Sequence, residues 1–264
     1  MTIVDVGEAR LHCRWDVLHG GPPLVLSHAL GATLDLWRPQ VEPFCERFRL
    51  LRYDARGHGR SSVPPGPYSV EQLGTDVLRL LDAHGVERTH FCGLSMGGAV
   101  GLWLAAHAPD RIDRLVACNT LPWFGPPDAF NARIETVREH GMAAVVEPTM
   151  ERWFTAEFRA SQPETVRQTR SQMLACPPDG YVACCAAVRD LDLREDLSRI
   201  QARTLVIAGT DDPTAPPAAA LALAAAIPGA RCVELPAAHL SNLGAAAAFN
   251  ATVLGFLEVS GVNV

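Results

Sequence analysis

The segment Gly93-Leu94-Ser95-Met96-Gly97 places one serine midway between two glycines. This G-x-S-x-G pattern is typical of a nucleophile held on a sharp turn between a strand and a helix. Glycine is needed on both sides because a Cβ there would crowd so tight a turn. The flanking sequence agrees, since 89–92 reads as a short buried strand and 99–106 as a helix that Met96 begins. The sequence therefore predicts Ser95 as a nucleophile.

A serine hydroxyl needs a base to remove its proton, and the base needs a third group to orient it. In chains with this pattern the acid follows the serine, and the histidine follows the acid. Asp212 comes just after the apolar run 204–208, and His239 lies in the loop before the last predicted helix. We predict Ser95, Asp212 and His239 as a catalytic triad, with Asp211 as the alternative acid.

Acyl transfer through a serine also needs N–H donors for the oxyanion of the tetrahedral intermediate. One donor is the backbone amide of the residue after the nucleophile, Met96. The second comes from the loop after an early strand, here His28-Ala29-Leu30-Gly31. We predict the Leu30 amide as this donor, with the Ala29 amide as the alternative.

Short, continuous apolar runs alternate with helical segments along most of the chain, which favours a parallel sheet with helices on both faces. Two runs at the start, 3–6 and 9–17, read as a hairpin. From about residue 121 to 194 only helical segments occur, separated by prolines and glycines, at 128–140, 142–154, 163–176 and 179–190. The sequence predicts an α/β fold, with a core of residues 1–120 and 195–264 and an inserted all-helical cap of residues 121–194.

The amino-acid composition excludes one type of reaction and argues against some partners and ligands. Lysine is absent, so all 23 side chains counted as Lys or Arg are arginines, and a Schiff base through lysine is excluded. A net charge of −6 without runs of like charge argues against a nucleic acid partner. The eight cysteines lack metal-ligand spacing, so we predict buried thiols and no metal site. A serine acyl-enzyme reaction needs no cofactor, and we predict none.

The expected location follows from two absences in the sequence. The N-terminal residues show no basic flank followed by an apolar segment, as a secretory signal would. The longest apolar runs, such as 218–227, are shorter than the roughly 18 residues that suggest a membrane span. We therefore expect a cytoplasmic protein without a membrane partner.

Several segments together resemble the 3-oxoadipate enol-lactonases of the β-ketoadipate pathway, which are α/β-hydrolases of aromatic catabolism. They are LRYDARGHGRSSVPPGPYS, FCGLSMGGAVGLWLAAHAPDRI, RWFTAEFR, GYVACCAAVRDLDLRE, TLVIAGTDDPTAPP and AAHLSN. The resemblance implies an α/β-hydrolase fold and hydrolysis of 3-oxoadipate enol-lactone to 3-oxoadipate. It implies that Ser95, Asp212 and His239 occupy the matching triad positions and that no cofactor is needed.

The implied lactone carries a carboxymethyl group, and a buried carboxylate needs a cation or several donors. In a chain without lysine, arginine must supply any such cation other than histidine. Arg133 resembles a family position and is the predicted carboxylate-binding residue. The other candidates are further cap arginines, Arg138, Arg152 and Arg159.

Two tryptophans are further candidates for substrate contact. Trp153 could form a wall beside the lactone ring, and Trp37 lies near the oxyanion loop, where packing is its alternative role. The segment Leu121-Pro122-Trp123-Phe124 departs from the family pattern, because it puts bulky apolar surface where the substrate enters. A broader carboxylesterase or lactonase on the same scaffold is therefore an alternative function, and a ligand-binding receptor is a third.

Overall fold

A computed structural model describes residues 2–258, within which eight strands form a single sheet in the order β1-β2-β4-β3-β5-β6-β7-β8. The strands are β1 (Thr2–Asp5), β2 (Arg10–Asp16), β3 (Pro23–Ser27), β4 (Arg49–Tyr53), β5 (Thr89–Leu94), β6 (Ile112–Cys118), β7 (Arg203–Gly209) and β8 (Arg231–Leu235). β2 pairs antiparallel with both β1 and β4, and the other neighbours are parallel. The predicted N-terminal hairpin and mostly parallel sheet are thus confirmed.

Helices cover the sheet and fill the long connection between β6 and β7. They are α1 (Arg38–Cys45), α2 (Val70–Ala83), α3 (Met96–His107), α4 (Asp128–His140), α5 (Ala143–Trp153), α6 (Ala156–Ser161), α7 (Pro163–Leu174), α8 (Pro178–Arg189), α9 (Pro217–Ala226), α10 (Ser241–Gly244) and α11 (Ala246–Glu258). Short 3-10 turns occupy Leu34–Trp37, Pro109–Arg111 and Leu197–Arg199. No helix within residues 2–258 is long and apolar enough to cross a lipid bilayer.

The central strands are apolar throughout because both of their faces are covered. Every residue of β5 is buried, and Leu24, Val25 and Leu26 of β3 have no exposed surface. α3 packs closely on β5 and β6, since added Cβ atoms at Gly98 and Gly101 would press against Thr120, Phe91 and Leu115. This close contact fixes the start of α3 above the end of β5.

Five helices, α4 to α8, lie between β6 and β7, where the sequence predicted a cap at residues 121–194. α4 packs on α5 and α8, and α5 packs on α7, so the helices contact one another. Backbone hydrogen bonds from Tyr68 N to the Ala183 carbonyl and from Leu240 N to the Trp153 carbonyl connect them to the core. The short helix α6 was not predicted. It has only six residues, too few for a helical period, although Thr155 caps it by accepting a hydrogen bond from Phe158 N.

Candidate active site

Ser95 lies on the turn between β5 and α3, with φ 82° and ψ −108°. Residues other than glycine rarely adopt this conformation, which costs about 1–3 kcal/mol. Two bonds hold the backbone there. Ser95 N donates to the Cys118 carbonyl at 2.9 Å, and the Thr120 hydroxyl donates to the Ser95 carbonyl at 2.8 Å. A Cβ at Gly97 would overlap the Ser27 carbonyl oxygen, so glycine is required at that position.

The structure brings together the three side chains that the sequence predicted as a triad. His239 Nε2 lies 2.9 Å from Ser95 Oγ, and His239 Nδ1 lies 2.8 Å from Asp212 Oδ2. Because an ionised carboxylate only accepts, Nδ1 carries the ring proton and Nε2 is free to take the proton of Ser95. The alternative acid, Asp211, is exposed and accepts a hydrogen bond from Thr210 instead.

Asp212 is held as an ion by donors on both of its oxygens. The backbone N–H groups of Thr214 and Ala215 donate to Oδ1 at 2.8 and 3.1 Å, and Asn119 Nδ2 donates to Oδ2 at 3.0 Å. Burial by itself raises the pKa of Asp212, but His239 and these hydrogen bonds outweigh it and leave the pKa below its ordinary value. The carboxylate therefore stays charged and can orient His239.

Asn119 was not identified from the sequence, although it is central to this network. It follows β6 directly, is fully buried and has a positive φ of 48°. Its amide donates to Asp212, and its Oδ1 accepts from the Ser241 hydroxyl at 2.5 Å. The position of Asn119 directly after a predicted strand could have identified it. Polar residues at the carboxyl ends of neighbouring parallel strands converge on one edge of the sheet.

The two predicted oxyanion donors lie beside the same cavity as Ser95. The Met96 N–H is the first of α3, and the first four N–H groups of a helix have no acceptor within it. The partial positive charge at a helix N-terminus adds to its attraction for an anion. Leu30 follows β3, which pairs with β5, so the oxyanion loop, residues 28–31, lies next to the serine turn.

The cavity above Ser95 has a volume of about 60 Å³. Ligand pockets usually measure roughly 300–1,000 Å³, so the site is closed in this conformation. Arg133 and Trp153, the predicted substrate contacts of the cap, are among the residues that line it. The lining residues are Ala29, Leu30, Ser95, Met96, Phe124, Phe130, Arg133, Thr149, Arg152, Trp153, Tyr181, Val188, Thr214 and His239.

Trp37, the other predicted substrate contact, does not line this cavity. It is fully buried in the 3-10 turn before α1, and its ring packs on Phe249 of α11 with 6.1 Å between ring centroids. Closeness to the oxyanion loop along the chain did not reveal that the side chain points into the core between α1 and α11. Trp37 is therefore a packing residue.

Two of the four candidate arginines reach the cavity, namely Arg133 and Arg152. Within residues 2–258, no carboxylate oxygen lies within 4.0 Å of either guanidinium. Arg152 donates to the Thr149 hydroxyl at 2.8 Å, and its pKa is lowered by burial and by nearby Arg133. Arg159 donates to backbone carbonyls of the cap, and Arg138 lines a separate surface groove.

Tyr181 of α8 is a cavity residue that no sequence signal marked. Its side chain lies near both Arg133 and Arg152, and its ring packs beside Gly31 of the oxyanion loop. Burial raises the pKa of its phenol, so the hydroxyl remains protonated and can donate. Two guanidinium groups and a phenol thus face a cavity that is otherwise mainly apolar.

The described part of the chain contains no group of three or more His, Cys, Asp and Glu residues suited to a metal ion. The side chains at the site match acyl transfer, with a nucleophile, a base, an orienting acid and backbone donors.

Comparison with known proteins agrees with this geometry. The model of the α/β-hydrolase fold family matches residues 22–246. The chain belongs to the α/β-hydrolase family. This hydrolase is 39% identical over 232 residues to 3-oxoadipate enol-lactonase 2 of Acinetobacter baylyi, covering 88% of this chain and 87% of that protein. The family resemblance predicted from the sequence is thereby confirmed.

Two further relatives bear on the function of this hydrolase. The crystal structure of the enol-lactonase from Burkholderia xenovorans LB400 matches with a TM-score of 0.95 and 43% identity, covering 97% of this chain and 99% of that one. A protein of Caulobacter sp. (strain K31) named RutD, whose name refers to carbamate hydrolysis, is 34% identical over 257 residues, covering 91% and 94%.

Proposed function

We propose that this hydrolase opens the lactone ring of 3-oxoadipate enol-lactone to give 3-oxoadipate, through an acyl-enzyme on Ser95. The observation that carries the proposal is the pair Arg133 and Arg152, which line the cavity above Ser95 without a carboxylate partner in residues 2–258. Two partly buried cations beside a serine nucleophile favour a substrate that is both an ester and an anion.

The proposed reaction begins when Ser95 Oγ attacks the lactone carbonyl while His239 Nε2, 2.9 Å away, takes its proton. Asp212 stabilises the imidazolium that forms, and the amides of Met96 and Leu30 bind the oxyanion. Collapse breaks the ring C–O bond and transfers the proton from His239 to the departing enol oxygen. The enol then tautomerises to a ketone. The enol oxygen is a better leaving group than a simple alkoxide, so its departure from the tetrahedral intermediate has a low barrier.

The second half of the reaction uses the same base. His239 takes a proton from a water molecule, the resulting hydroxide attacks the acyl carbonyl, and Ser95 Oγ leaves with the proton from His239. Throughout both steps the carboxymethyl group of the substrate is expected to lie against Arg133 and Arg152, with the Tyr181 hydroxyl as a further donor. These contacts orient the carbonyl toward Ser95.

The test is a steady-state comparison of 3-oxoadipate enol-lactone with a neutral aryl acetate. We expect a kcat/KM for the lactone above about 10⁴ M⁻¹s⁻¹ and well above that for the ester. Ser95→Ala should lower both activities by at least about 10³-fold while leaving the circular dichroism spectrum unchanged. Faster turnover of the neutral ester than of the lactone would exclude the lactone as the preferred substrate.

The arginine pair provides a sharper test of the same proposal. Arg133→Met and Arg152→Met should each raise KM for the lactone by about 10- to 100-fold, since a hydrogen bond to a charged group contributes roughly 1.5–3 kcal/mol. Neither should change KM for the neutral ester. Arg138→Met is the matched control, because Arg138 lies in the surface groove, outside the active-site cavity. Equal effects on both substrates would remove these arginines from carboxylate recognition.

A broader ester or carbamate hydrolase is the second candidate. Phe124 and Phe130 meet edge to face at the cavity, with 6.3 Å between ring centroids, and they give one wall an apolar surface suited to a neutral acyl group. The 34% identity to the RutD protein favours the same alternative. Preference for neutral esters or carbamates, together with indifference to Arg133→Met, would favour this function over lactone hydrolysis.

A further inference from the structure

Two buried histidines outside the triad belong to or contact the oxyanion loop: His28 is its first residue, and His58 accepts a hydrogen bond from Gly31 of the loop. His28 and His58 are 1% and 0% exposed, and their ring centroids are 5.2 Å apart. Neither ring reaches Ser95 or Asp212 through a hydrogen bond, so the proposed reaction gives them no direct part. Burying an imidazole is costly unless its nitrogens are satisfied, and all four of these nitrogens have partners.

The partners of His28 fix its tautomer. The backbone N–H of Ala55 donates to His28 Nε2 at 2.9 Å, so this nitrogen carries no proton. The ring proton is therefore on Nδ1, which donates to the Ala29 carbonyl at 2.8 Å. Burial lowers the pKa of His28, which keeps the ring neutral and preserves this donor and acceptor pattern.

The bond to Ala29 has a consequence for the next residue. The peptide group between Ala29 and Leu30 is planar and trans, so its C=O and N–H point in opposite directions. A donor that fixes the Ala29 carbonyl therefore also fixes the direction of the Leu30 N–H. The backbone N–H of Ala32 donates to the same carbonyl at 3.0 Å, on the same side of the peptide group as His28.

His58 acts on the following peptide group. The backbone N–H of Gly31 donates to His58 Nε2 at 2.9 Å, and His58 Nδ1 lies 3.2 Å from the Arg56 carbonyl, to which it donates. Gly31 has φ 82°, so the chain turns sharply here. The loop lies outside the strands and helices, so regular backbone hydrogen bonds do not hold the Gly31 N–H. Burial, with His28 nearby, lowers the pKa of His58 to about 3, so this ring is also neutral.

We propose that His28 and His58 are positioning residues for the oxyanion hole, each fixing one of the two peptide groups that flank Leu30 and together aiming the Leu30 N–H at the intermediate on Ser95. This inference rests on the proposed serine-hydrolase function, because it assigns Leu30 as the second donor. It does not depend on which ester is the substrate.

Crossed amide substitutions test the inference. The amide nitrogen of asparagine can take the place of histidine Nδ1, and the amide oxygen of glutamine can take the place of Nε2. His28→Asn therefore keeps the donor to Ala29, whereas His28→Gln loses it. At the second position the reverse holds, since His58→Gln keeps the acceptor for Gly31 and His58→Asn loses it.

The readouts are kcat and KM for a neutral aryl acetate and the inhibition constant of an aryl trifluoromethyl ketone, which adds to a serine as a charged hemiketal. We expect H28Q to have a kcat about 10- to 100-fold below that of H28N, and H58N to stand in the same relation to H58Q. Inhibitor affinity should fall in parallel, with KM changed little. His90, a buried histidine of β5, is the control, and its Asn and Gln variants should not differ.

Each outcome decides between the inference and a purely structural role. Thermal unfolding of every variant separates loss of folding from loss of positioning. Equal activity within each crossed pair, or inhibitor affinity that does not follow kcat, would overturn the inference while the proposed function stands. A wild-type protein that hydrolyses neither ester nor lactone would overturn both. The crossed pattern in kcat and inhibitor affinity would establish the two histidines as positioning residues.

Discussion

At the scale of single residues, the hydrogen-bond network of the proposed triad includes a fourth side chain, Asn119. Asn119 bonds to Asp212, and Ser241 bonds to Asn119, so a buried chain of hydrogen bonds connects the acid to the α10 residue next to the His239 loop. An amide donor beside a buried carboxylate favours its charged form, and this contribution helps to lower the pKa of Asp212. Asn119 should therefore affect catalysis through the pH range in which Asp212 is ionised.

Asn119→Ala is expected to lower kcat/KM by about 10-fold, because the lost bond involves a charged acceptor. It should also move the acid limb of the pH profile to higher pH. The sign follows from the loss of a group that lowers the pKa of Asp212, so that this carboxylate takes up a proton at a higher pH than before. The measurement is kcat/KM for an aryl ester from about pH 3 to pH 9, a range that reaches below the ordinary pKa of Asp212.

Asn119 has a φ of 48°, so the alanine variant could also lose activity through backbone strain, and a second variant controls for this effect. Asn119→Gly removes the same donor but relaxes the backbone, since glycine adopts positive φ freely. We expect the glycine variant to shift the acid limb as far as the alanine variant does. A glycine variant with a wild-type profile would show that strain, rather than the bond to Asp212, caused the change.

The three members of the proposed triad could be chosen from the sequence because Ser95, Asp212 and His239 follow strand ends in a fixed order along the chain. The residues around it could not, because their contacts join distant parts of the chain. Asn119 reaches Asp212 across 93 residues, and Tyr181 comes to the cavity only through the packing of cap helix α8. The direction in which a side chain points could not be predicted either. Trp37 is close to the oxyanion loop along the chain, but its ring packs on Phe249 in the core.

At the scale of elements, the crossover from β6 to α4 closes the site. This entrance segment, residues 121–127, puts Phe124 into the cavity wall. It is fastened to the chain that returns from the cap, because the Arg194 guanidinium stacks on Trp123 at 4.5 Å and Leu193 N donates to the Pro122 carbonyl at 2.9 Å. The cavity of about 60 Å³ is smaller than ordinary ligand pockets, so we expect it to widen when substrate binds.

Weakening the contact between Trp123 and Arg194 should make entry easier for large substrates. An exposed cation–π pair contributes roughly 0.5–1 kcal/mol, so Trp123→Ala or Arg194→Ala should raise kcat/KM for a bulky acyl ester by about 2- to 5-fold. The double variant should gain no more than either single one, since both remove the same interaction. The acetyl ester should change less.

Arg199→Ala is the matched control for this experiment. Arg199 is an exposed arginine paired with Asp196 and follows the same loop, but it does not contact Trp123. An equal rise in this control, or additive effects of the two changes at Trp123 and Arg194, would contradict a closing contact between them.

Most of the fold could be predicted from the sequence, because apolar runs and helical periods are local features. β6 was predicted with its observed limits, and four of the five cap helices were found. The sheet order could not be derived in the same way, since pairing β3 between β4 and β5 depends on long-range contacts. α6 was missed because one and a half turns leave no periodic pattern.

At the scale of the whole molecule, pairing of β3 with β5 and of β5 with β6 brings the oxyanion loop, Ser95 and Asn119 to the same edge of the sheet. The same arrangement buries His28 and His58 beneath the cap. His58 is neutral in the folded protein, and its pKa falls from an ordinary 6.5 to about 3 on folding. Folding is therefore coupled to pH through this side chain.

The sign of the coupling is set by which state binds the proton. Well above pH 6.5 the ring is neutral in both the folded and the unfolded state, so its titration does not reduce the free energy of unfolding. Between pH 6.5 and about 3 the unfolded chain takes up a proton that the folded protein does not, so stability falls as the pH falls. His28 contributes in the same direction, since its pKa is also lowered by burial.

His58 alone should reduce the free energy of unfolding by about 2 kcal/mol between pH 7.5 and pH 5. His58→Gln keeps an acceptor for the Gly31 N–H but cannot titrate, so its loss of stability over this range should be smaller than that of the wild type by about the same amount. Urea unfolding followed by tryptophan fluorescence at the two pH values measures both quantities. His140→Gln serves as the control, because His140 is exposed and its variant should lose as much stability as the wild type. A His58→Gln variant with the full wild-type loss would mean that His58 takes up a proton in the folded protein, which is incompatible with its role as an acceptor for Gly31.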